Sequence, residues 1–253
     1  MSLLEIKNLT CGYEEKEVIQ DASFSANKGE IVTLIGPNGC GKTTLIKTIS
    51  TLIPSLSGDI TLAGKSISSM NDNERARQVA LLLTDRGVGE GSTCFEVVSM
   101  GRYPYTGRFG ILSKEDRDIC YEAMKLCDVS DLADRYFTQI SDGQRQRILL
   151  ARAIAQKPEV MILDEPTSFL DIKYKLEFLN ILKELAKKTP FAVVASLHEL
   201  DLAYQVSDKI VAIKDGKIDM MGSPEDVFKS GYIDRLFDIT KGGFEEENLK
   251  TIL

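Results

Sequence analysis

The fold is decided by residues 36–43, which read Gly36-Pro37-Asn38-Gly39-Cys40-Gly41-Lys42-Thr43. The stretch fits the pattern G-x-x-x-x-G-K-[ST], in which two glycines and a lysine hold fixed spacings. The residues before it, Ile31–Ile35, are mostly apolar and predict a buried strand. Apolar side chains at helical spacing then predict a helix over Thr43–Thr51. The stretch is therefore expected to be a loop that joins a strand to a helix.

The composition of this loop is typical of a phosphate-binding site. Glycines let backbone N–H groups turn toward phosphate oxygens, and the following helix directs its positive end at the anion. Lys42 is predicted to reach the β- and γ-phosphates of a nucleotide, and the Thr43 hydroxyl to ligate Mg²⁺. The alternative is a chance glycine-rich turn, which random residue usage produces on the order of once in a hundred chains of this length. The predicted nucleotide-binding residues are Gly36, Pro37, Asn38, Gly39, Cys40, Gly41, Lys42, Thr43 and Thr44.

A second apolar run, Val160–Leu163, ends in two carboxylates, Asp164 and Glu165. In a parallel sheet the carboxyl ends of the strands line the ligand crevice, where the glycine-rich loop is also expected. Asp164 is predicted to hold Mg²⁺ through water, and Glu165 to polarise an attacking water as a general base. The alternative is a pair of solvated acids at a strand end. The glycine-rich loop in the same chain favours the catalytic interpretation.

Composition excludes several classes of function. Lys and Arg total 31 and Asp and Glu total 38 in 253 residues, so the net charge of −7 argues against bulk attraction to nucleic acid, and no such partner is expected. Five widely spaced cysteines without a Cys-x-x-Cys pair predict reduced, mostly buried thiols rather than a zinc site. The single histidine, His198, excludes a multi-histidine metal site. The sequence shows neither a bilayer-length apolar run nor a secretory signal, so we expect a cytosolic chain, or one held at a membrane through partners.

Apolar runs alternate with helix-patterned segments along much of the chain. Short strands are predicted at Leu3–Lys7 and Ser23–Ala26, and further buried strands at Val160–Leu163 and Ala192–Ser196. Polar, helix-favouring residues dominate between these two regions. Near the end of this pattern, Asp215-Gly216 predicts the turn of a hairpin. Buried strands alternating with helices indicate the α/β class with a mostly parallel sheet.

The segment Ile140-Ser141-Asp142-Gly143-Gln144 precedes a helix-patterned stretch. It resembles the signature motif of ATP-binding cassette (ABC) ATPases, L-S-G-G-Q, from which Ile140 and Asp142 depart. The resemblance covers nearly the whole chain, with several motifs in family order. It implies a P-loop NTPase core, an N-terminal antiparallel β subdomain and an inserted helical subdomain at about residues 88–158, within one domain over residues 1–253. It also implies that an ATP held by a partner subunit is contacted by Ser141, Gly143 and Gln144.

The same resemblance implies roles for four other residues. Tyr13 looks like the aromatic residue that stacks on adenine, with a half-buried strand aromatic as the alternative. Asp171 looks like the D-loop residue at the dimer interface, with an ordinary helix cap as the alternative. His198 resembles the switch histidine that senses the γ-phosphate. Thr84 stands where the family usually has a glutamine that touches Mg²⁺ and relays the nucleotide state, so a different outer metal shell is expected.

The resemblance further implies a head-to-tail homodimer with two composite ATP sites. The stretch Val97–Tyr105 looks like the ATPases of importers for iron–siderophore, haem and cobalamin-type chelates, with a generic helix-to-loop connection as the alternative. Such a chain would sit at the inner face of the cell membrane against a permease and, through it, an external binding protein. The rival function is a soluble ABC ATPase acting in cofactor assembly or on nucleic acid. A long coiled-coil insert or a basic face would favour that rival, and the sequence shows neither.

Overall fold

The computed structural model describes residues 2–14, 16–83, 91–229 and 231–239. Thr84, which the sequence analysis singles out, lies outside the described residues, and so does the segment from residue 240 to 253. The strands are β1 (Ser2–Tyr13), β2 (Lys16–Asn27), β3 (Ile31–Ile35), β4 (Ser55–Leu62), β5 (Lys65–Ser66), β6 (Val79–Leu82), β7 (Val160–Asp164), β8 (Ala192–Ser196), β9 (Lys209–Lys214) and β10 (Lys217–Gly222). The α-helices are α1 (Lys42–Ile49), α2 (Asp72–Gln78), α3 (Cys94–Ser99), α4 (Lys114–Leu126), α5 (Asp142–Ala155), α6 (Ile172–Lys188), α7 (Leu200–Val206), α8 (Pro224–Phe228) and α9 (Tyr232–Leu236).

The first sheet is antiparallel, with the strand order β2-β1-β4-β5. The predicted strands at Leu3–Lys7 and Ser23–Ala26 are too short, because each lies within a strand of 12 residues. The pairing of β1 with β2 shifts register at several points, and Asn8 and Asp21 adopt φ angles of 49° and 52°. These irregularities break the alternation of apolar and polar residues, which is why the sequence pattern ends the strands early.

The second sheet has the order β10-β9-β3-β8-β7-β6, and its pairs are parallel except for β9 with β10. Every residue of β3, β7 and β8 is buried, as expected for strands covered on both faces. In the register of these strands Ser196 lies opposite both Leu34 and Asp164. The carboxyl ends of β3, β7 and β8 therefore meet at one edge of the sheet. The prediction of an α/β fold with a mostly parallel sheet is confirmed.

The helices between β6 and β7 form a block within the region predicted to be a helical subdomain. Apolar side chains of α3, α4 and α5 share one core with α6 and one face of the parallel sheet. A second core lies between α1, the antiparallel sheet and the opposite face of the parallel sheet. The boundaries proposed at residues 88 and 158 stay a prediction. Within the described ranges, no helix is both long and apolar enough to cross a membrane.

The hairpin of β9 and β10 turns at Asp215 and Gly216, whose φ angles are 48° and 74°, as the Asp-Gly pair predicts. A Cβ on Gly216 would lie 2.6 Å from the carbonyl oxygen of Val18, so the turn packs directly on β2. The N–H of Gln20 also donates to the carbonyl oxygen of Gly216 at 2.8 Å. The hairpin thereby supports the strand on which the glycine-rich loop rests.

The cysteines agree with the prediction of reduced and mostly buried thiols. All five are unpaired by disulfides, and four of them are buried while Cys40 is half-buried. Burial raises the pKa of the Cys127 thiol to about 12, against a weaker lowering by the charge of Arg147. The Cys127 side chain is therefore a protonated apolar group of the core.

Candidate functional site

The glycine-rich loop leaves β3 and ends at the first turn of α1. Gly36 has a φ of 149°, and a Cβ there would lie 2.2 Å from the carbonyl oxygen of Ile213. Gly41 has a φ of 109°, and a Cβ there would lie 2.6 Å from Cδ1 of Ile19. Because a side chain would collide at both positions, the loop requires glycine at each. The backbone consequently wraps closely around the start of α1, where N–H groups have no helical partner.

Lys42 lies inside the curve of this loop. Lys42 is the first residue of α1, and it is only 6% exposed. The Nζ donates hydrogen bonds to the carbonyl oxygens of Gly36 at 2.8 Å and Pro37 at 3.1 Å. The outermost residues of the loop, Asn38 and Gly39, are exposed. An ammonium group and the positive end of a helix thus face the same concave space, which favours an anion.

The carboxylate of Asp164 lies across this space from α1. Its Oδ1 accepts a hydrogen bond from Ser196 Oγ at 2.7 Å and is 3.4 Å from the donating hydroxyl of Thr43. The same Ser196 Oγ accepts from the backbone N–H of Glu165 at 2.9 Å. One serine at the end of β8 therefore fixes both acidic residues at the end of β7.

Glu165 and His198 form a close pair beside this carboxylate. Oε1 of Glu165 lies 2.5 Å from Nε2 of His198, and Oε2 accepts from Ser168 Oγ at 3.2 Å. The Glu165 backbone adopts a φ of 49°, uncommon for a residue other than glycine, and turns the chain immediately after β7. Both side chains remain partly exposed, at 30% for Glu165 and 39% for His198. The glutamate is therefore held in place and is still accessible to a water molecule.

Removing the Ser196 hydroxyl should weaken this arrangement. The Ser196→Ala chain is expected to lose about 1–3 kcal/mol of unfolding free energy, because it deprives the buried Asp164 carboxylate and the half-buried Glu165 N–H of a hydrogen bond. Urea unfolding of the Ser196→Ala and wild-type chains measures the difference in the free energy of unfolding. Ser50→Ala is the matched control and should cost less, because among the described residues this half-buried hydroxyl bonds to carbonyls of its own helix. Equal stability of Ser196→Ala and wild type would contradict the bridging role.

Sequence reasoning placed the signature residues at a helix start, and the structure agrees. Ser141 is the N-cap of α5: its Oγ accepts from the N–H of Gln144 at 3.3 Å, and Oε1 of Gln144 accepts from the N–H of Ser141 at 3.0 Å. A Cβ on Gly143 would lie 2.9 Å from the ring of Tyr174. Among the described residues, no hydrogen bond or ion pair joins Ser141, Gly143 or Gln144 to the glycine-rich loop. The structure of one subunit therefore keeps the two motifs apart.

Two other predicted residues lie at the surface. Asp171 precedes α6, and its side chain accepts no hydrogen bond from the first turn of that helix, so the simple capping alternative lacks support. Its neighbours Phe169 and Ile172 are exposed large apolar residues. Tyr13 ends β1 opposite Lys16 and is 47% exposed, so the structure leaves its ring accessible.

Three residues near the pair of Glu165 and His198 escaped sequence reasoning. Glu199, Lys175 and Thr167 share hydrogen bonds that join the loops after β7 and β8 to α6. The sequence offered one indication that Glu199 lies near the site, which is its position immediately after His198. Its partners come from other segments of the chain, so spacing alone could not identify them.

Comparison with known proteins gives the family. The protein-family model described as ABC transporter matches residues 19–168. The chain belongs to the ABC transporter ATP-binding family. An uncharacterized ABC transporter ATP-binding protein of Methanocaldococcus jannaschii is 40% identical over 244 residues, covering 96% of this chain and 84% of its own length. The iron(3+)-hydroxamate import ATP-binding protein of Bacillus subtilis is 36% identical over 239 residues, covering 94% of this chain and 89% of its own length.

Solved structures of ABC proteins have the same fold. An inward-facing ABC transporter described as of the metal-chelate type superimposes with a TM-score of 0.82 at 27% identity, covering 94% of this chain and 90% of that chain. A dimeric ATP-binding cassette bound to ADP and Pi superimposes with a TM-score of 0.75 at 25% identity, covering 87% of this chain and 98% of that chain. Members of the family bind nucleotides and hydrolyse ATP to power transport. The predictions of an ABC ATPase fold and of ATPase activity are confirmed at this level.

Proposed function

We propose that this chain binds ATP with Mg²⁺ and hydrolyses it to power an importer of metal chelates. The observation that carries the proposal is the 2.5 Å contact of Glu165 with His198, placed beside Asp164 and the loop that surrounds Lys42. A general base, a buried carboxylate and an anion-binding loop at one sheet edge are the parts that phosphoryl transfer to water requires.

The metal fits the oxygen atoms that face each other across the site. The Thr43 hydroxyl and the Asp164 carboxylate are the hard oxygen donors that Mg²⁺ prefers, and Oγ1 and Oδ1 lie 3.4 Å apart. Thr43 would ligate the ion and Asp164 would hold it through water. Bound there, Mg²⁺ would neutralise charge on the phosphate oxygens. The contribution of Thr84 to the outer metal shell stays a prediction.

The protein residues divide the chemical task. N–H groups of the loop and the Lys42 ammonium bind the phosphates and stabilise the charge of the transition state. Glu165 accepts a proton from the attacking water, since its carboxylate is fixed by Ser168 and remains accessible. His198 contacts the base and is 39% exposed, which suits a sensor of the γ-phosphate. Tyr13 would stack on the adenine ring.

A head-to-tail homodimer would complete each site. The start of α5 at Ser141, Gly143 and Gln144 would cover the ATP held by the loop of the other subunit, adding N–H donors and the positive helix end. Asp142 in this first turn is neutralised by Arg145 at 3.1 Å. The exposed residues flanking Asp171 supply apolar surface for such an interface. The dimeric cassette bound to ADP and Pi that this chain resembles supports a dimer.

The membrane partner would dock on the helical block. Exposed Tyr103, Phe109 and Ile111 follow α3 and present apolar surface there. This surface suits a short cytoplasmic helix of a permease, which would place the chain at the inner face of the cell membrane. Through the permease an external binding protein would deliver the cargo. The permease and the binding protein select that cargo, for which the curated relatives suggest an iron–siderophore or cobalamin. Haem, which the sequence resemblance also implies, stays a prediction.

Docking of the permease on the helical block is tested by co-expressing this chain with the products of the adjacent reading frames. We expect these frames to encode a multi-span permease and a binding protein. Co-expression should yield a purified complex, and Phe109→Asp should reduce the recovered permease about tenfold, because a buried charge at an apolar contact costs at least about 1.4 kcal/mol. Leu52→Asp, at an exposed position outside the helical block, is the control and should leave recovery near wild type. Adjacent genes for cofactor assembly and no permease would favour the rival soluble ABC ATPase.

A further inference from the structure

A cluster formed by Thr167, Lys175 and Glu199, hereafter the Glu199 cluster, lies next to the pair of Glu165 and His198. The ammonium of Lys175 forms an ion pair with Oε1 of Glu199, and Thr167 Oγ1 donates to Oε2 at 3.2 Å. The Lys175 side chain is 18% exposed and that of Glu199 is 30% exposed. One carboxylate in the loop after β8 is thus held both by the loop after β7 and by α6.

The cluster and the catalytic pair connect the same two loops. His198 contacts Glu165, and its neighbour Glu199 contacts Thr167, two residues further along the loop after β7. Two adjacent contacts restrict how the loops move relative to each other. Displacement of either loop by about 1 Å is enough to cost up to 100-fold in rate in an active site that depends on orientation. Lys175 adds a third attachment from a rigid helix of 17 residues.

The charge state of Glu199 suits this function. Burial pushes the pKa of its carboxyl upward, but hydrogen bonds from Lys175, its own backbone and Thr167, with the positive charge of Lys175, leave the pKa below its ordinary value. The carboxylate is therefore ionised at neutral pH. The carboxylate becomes protonated only when the pH falls through its pKa in the folded protein, which is lower than its pKa in the unfolded chain. The ion pair with Lys175 is therefore present throughout the neutral pH range.

We propose that Lys175 is a positioning residue for ATP hydrolysis, which holds the loop of His198 through Glu199 and so keeps His198 on Glu165. The inference rests on the proposed function, because it concerns the same site. Lys175 touches neither of the predicted reacting groups in the described contacts. Its effect on the rate must therefore pass through Glu199 and the loop that carries His198.

The test compares purified full-length chains in a steady-state ATPase assay. Lys175→Met should lower kcat about tenfold and change the KM for ATP less than twofold, since the glycine-rich loop is untouched. Glu199→Gln should have a similar effect, because it also removes the ion pair. Lys175→Arg should restore most of kcat, because it can form the same pair. Lys188→Met removes an exposed ion pair with Glu184 from the far end of α6 and should match wild type.

A double-mutant cycle separates positioning from general loss of structure. In a His198→Ala background, single-turnover assays should show that Lys175→Met lowers the rate less than twofold further, since its effect acts through His198. An equal tenfold loss in both backgrounds would overturn the inference, as would a wild-type kcat for Lys175→Met and Glu199→Gln. If wild type and Lys188→Met hydrolyse no ATP, the proposed function fails and the inference with it. If wild type and Lys188→Met hydrolyse ATP and the variants Lys175→Met and Glu199→Gln match their kcat, the inference fails while the proposed function stands.

Discussion

Replacing Glu165 with glutamine should lower the rate of ATP hydrolysis by about 100-fold or more while ATP binding persists. A positioned general base contributes roughly 10²–10⁴-fold, and an amide cannot take the proton from water. The amide oxygen can still accept from His198, and the amide NH2 can donate to the Ser168 hydroxyl, so the local geometry is expected to remain. ATP that binds but is not cleaved should keep two subunits together. Light scattering with ATP and Mg²⁺ should therefore show a dimer that wild type forms only transiently.

The control for this experiment is Glu184→Gln, which changes the same chemical group at an exposed position of α6. Its hydrolysis rate and its mass in solution should match those of wild type. A Glu165→Gln chain that hydrolyses ATP within twofold of the wild-type rate would exclude Glu165 as the base. A variant that is inactive but stays monomeric with bound ATP would retain the base and contradict the nucleotide-held dimer.

Local sequence patterns predict the parallel sheet and the glycine-rich loop well, and the antiparallel sheet less well. The glycine-rich loop, the buried strands β3, β7 and β8 and the Asp-Gly hairpin each follow from neighbouring residues, because turn chemistry and continuous apolar runs are local properties. The strands β1 and β2 extend much further than their patterns indicate. Their pairing tolerates bulges near Asn8 and Asp21, and a bulge shifts side chains between faces without ending the strand.

The candidate site divides in the same way. Asp164, Glu165 and His198 follow apolar strands, and a parallel sheet brings such strand ends together, so their meeting could be predicted from the sequence. Ser196 and Glu199 form hydrogen bonds with residues about 30 positions away in the sequence. The packing of the two loops brings these partners together, and no sequence spacing indicates it. Ser141 and Asp171 belong to a second category. Ser141 is predicted to contact the ATP of another subunit and Asp171 to lie at the interface with it, so the fold of one chain places both residues without testing their roles.

Replacing Lys42 with alanine should reduce the affinity for ATP by roughly 100-fold or more. Hydrogen bonds to charged groups contribute about 1.5–3 kcal/mol each, and the ammonium is placed to make more than one with phosphate oxygens. In the structure this ammonium instead bonds to the carbonyl oxygens of Gly36 and Pro37. The loop therefore already holds the lysine in the curve that phosphate would enter, and ordering its side chain costs little when ATP binds. Calorimetric titration with ATP measures the loss.

Two further variants show whether charge or loop shape accounts for that loss. Lys42→Met keeps the buried stem and removes the charge, so it should bind ATP as weakly as Lys42→Ala if the ammonium supplies the affinity. Lys47→Ala removes a lysine from the last turn of the same helix and should bind ATP within twofold of wild type. Should Lys42→Met bind normally while Lys42→Ala does not, the stem would be what matters, through its support of the loop. Retained affinity in both would refute residues 36–43 as the phosphate site, and the metal, base and dimer assignments that depend on it would fall together.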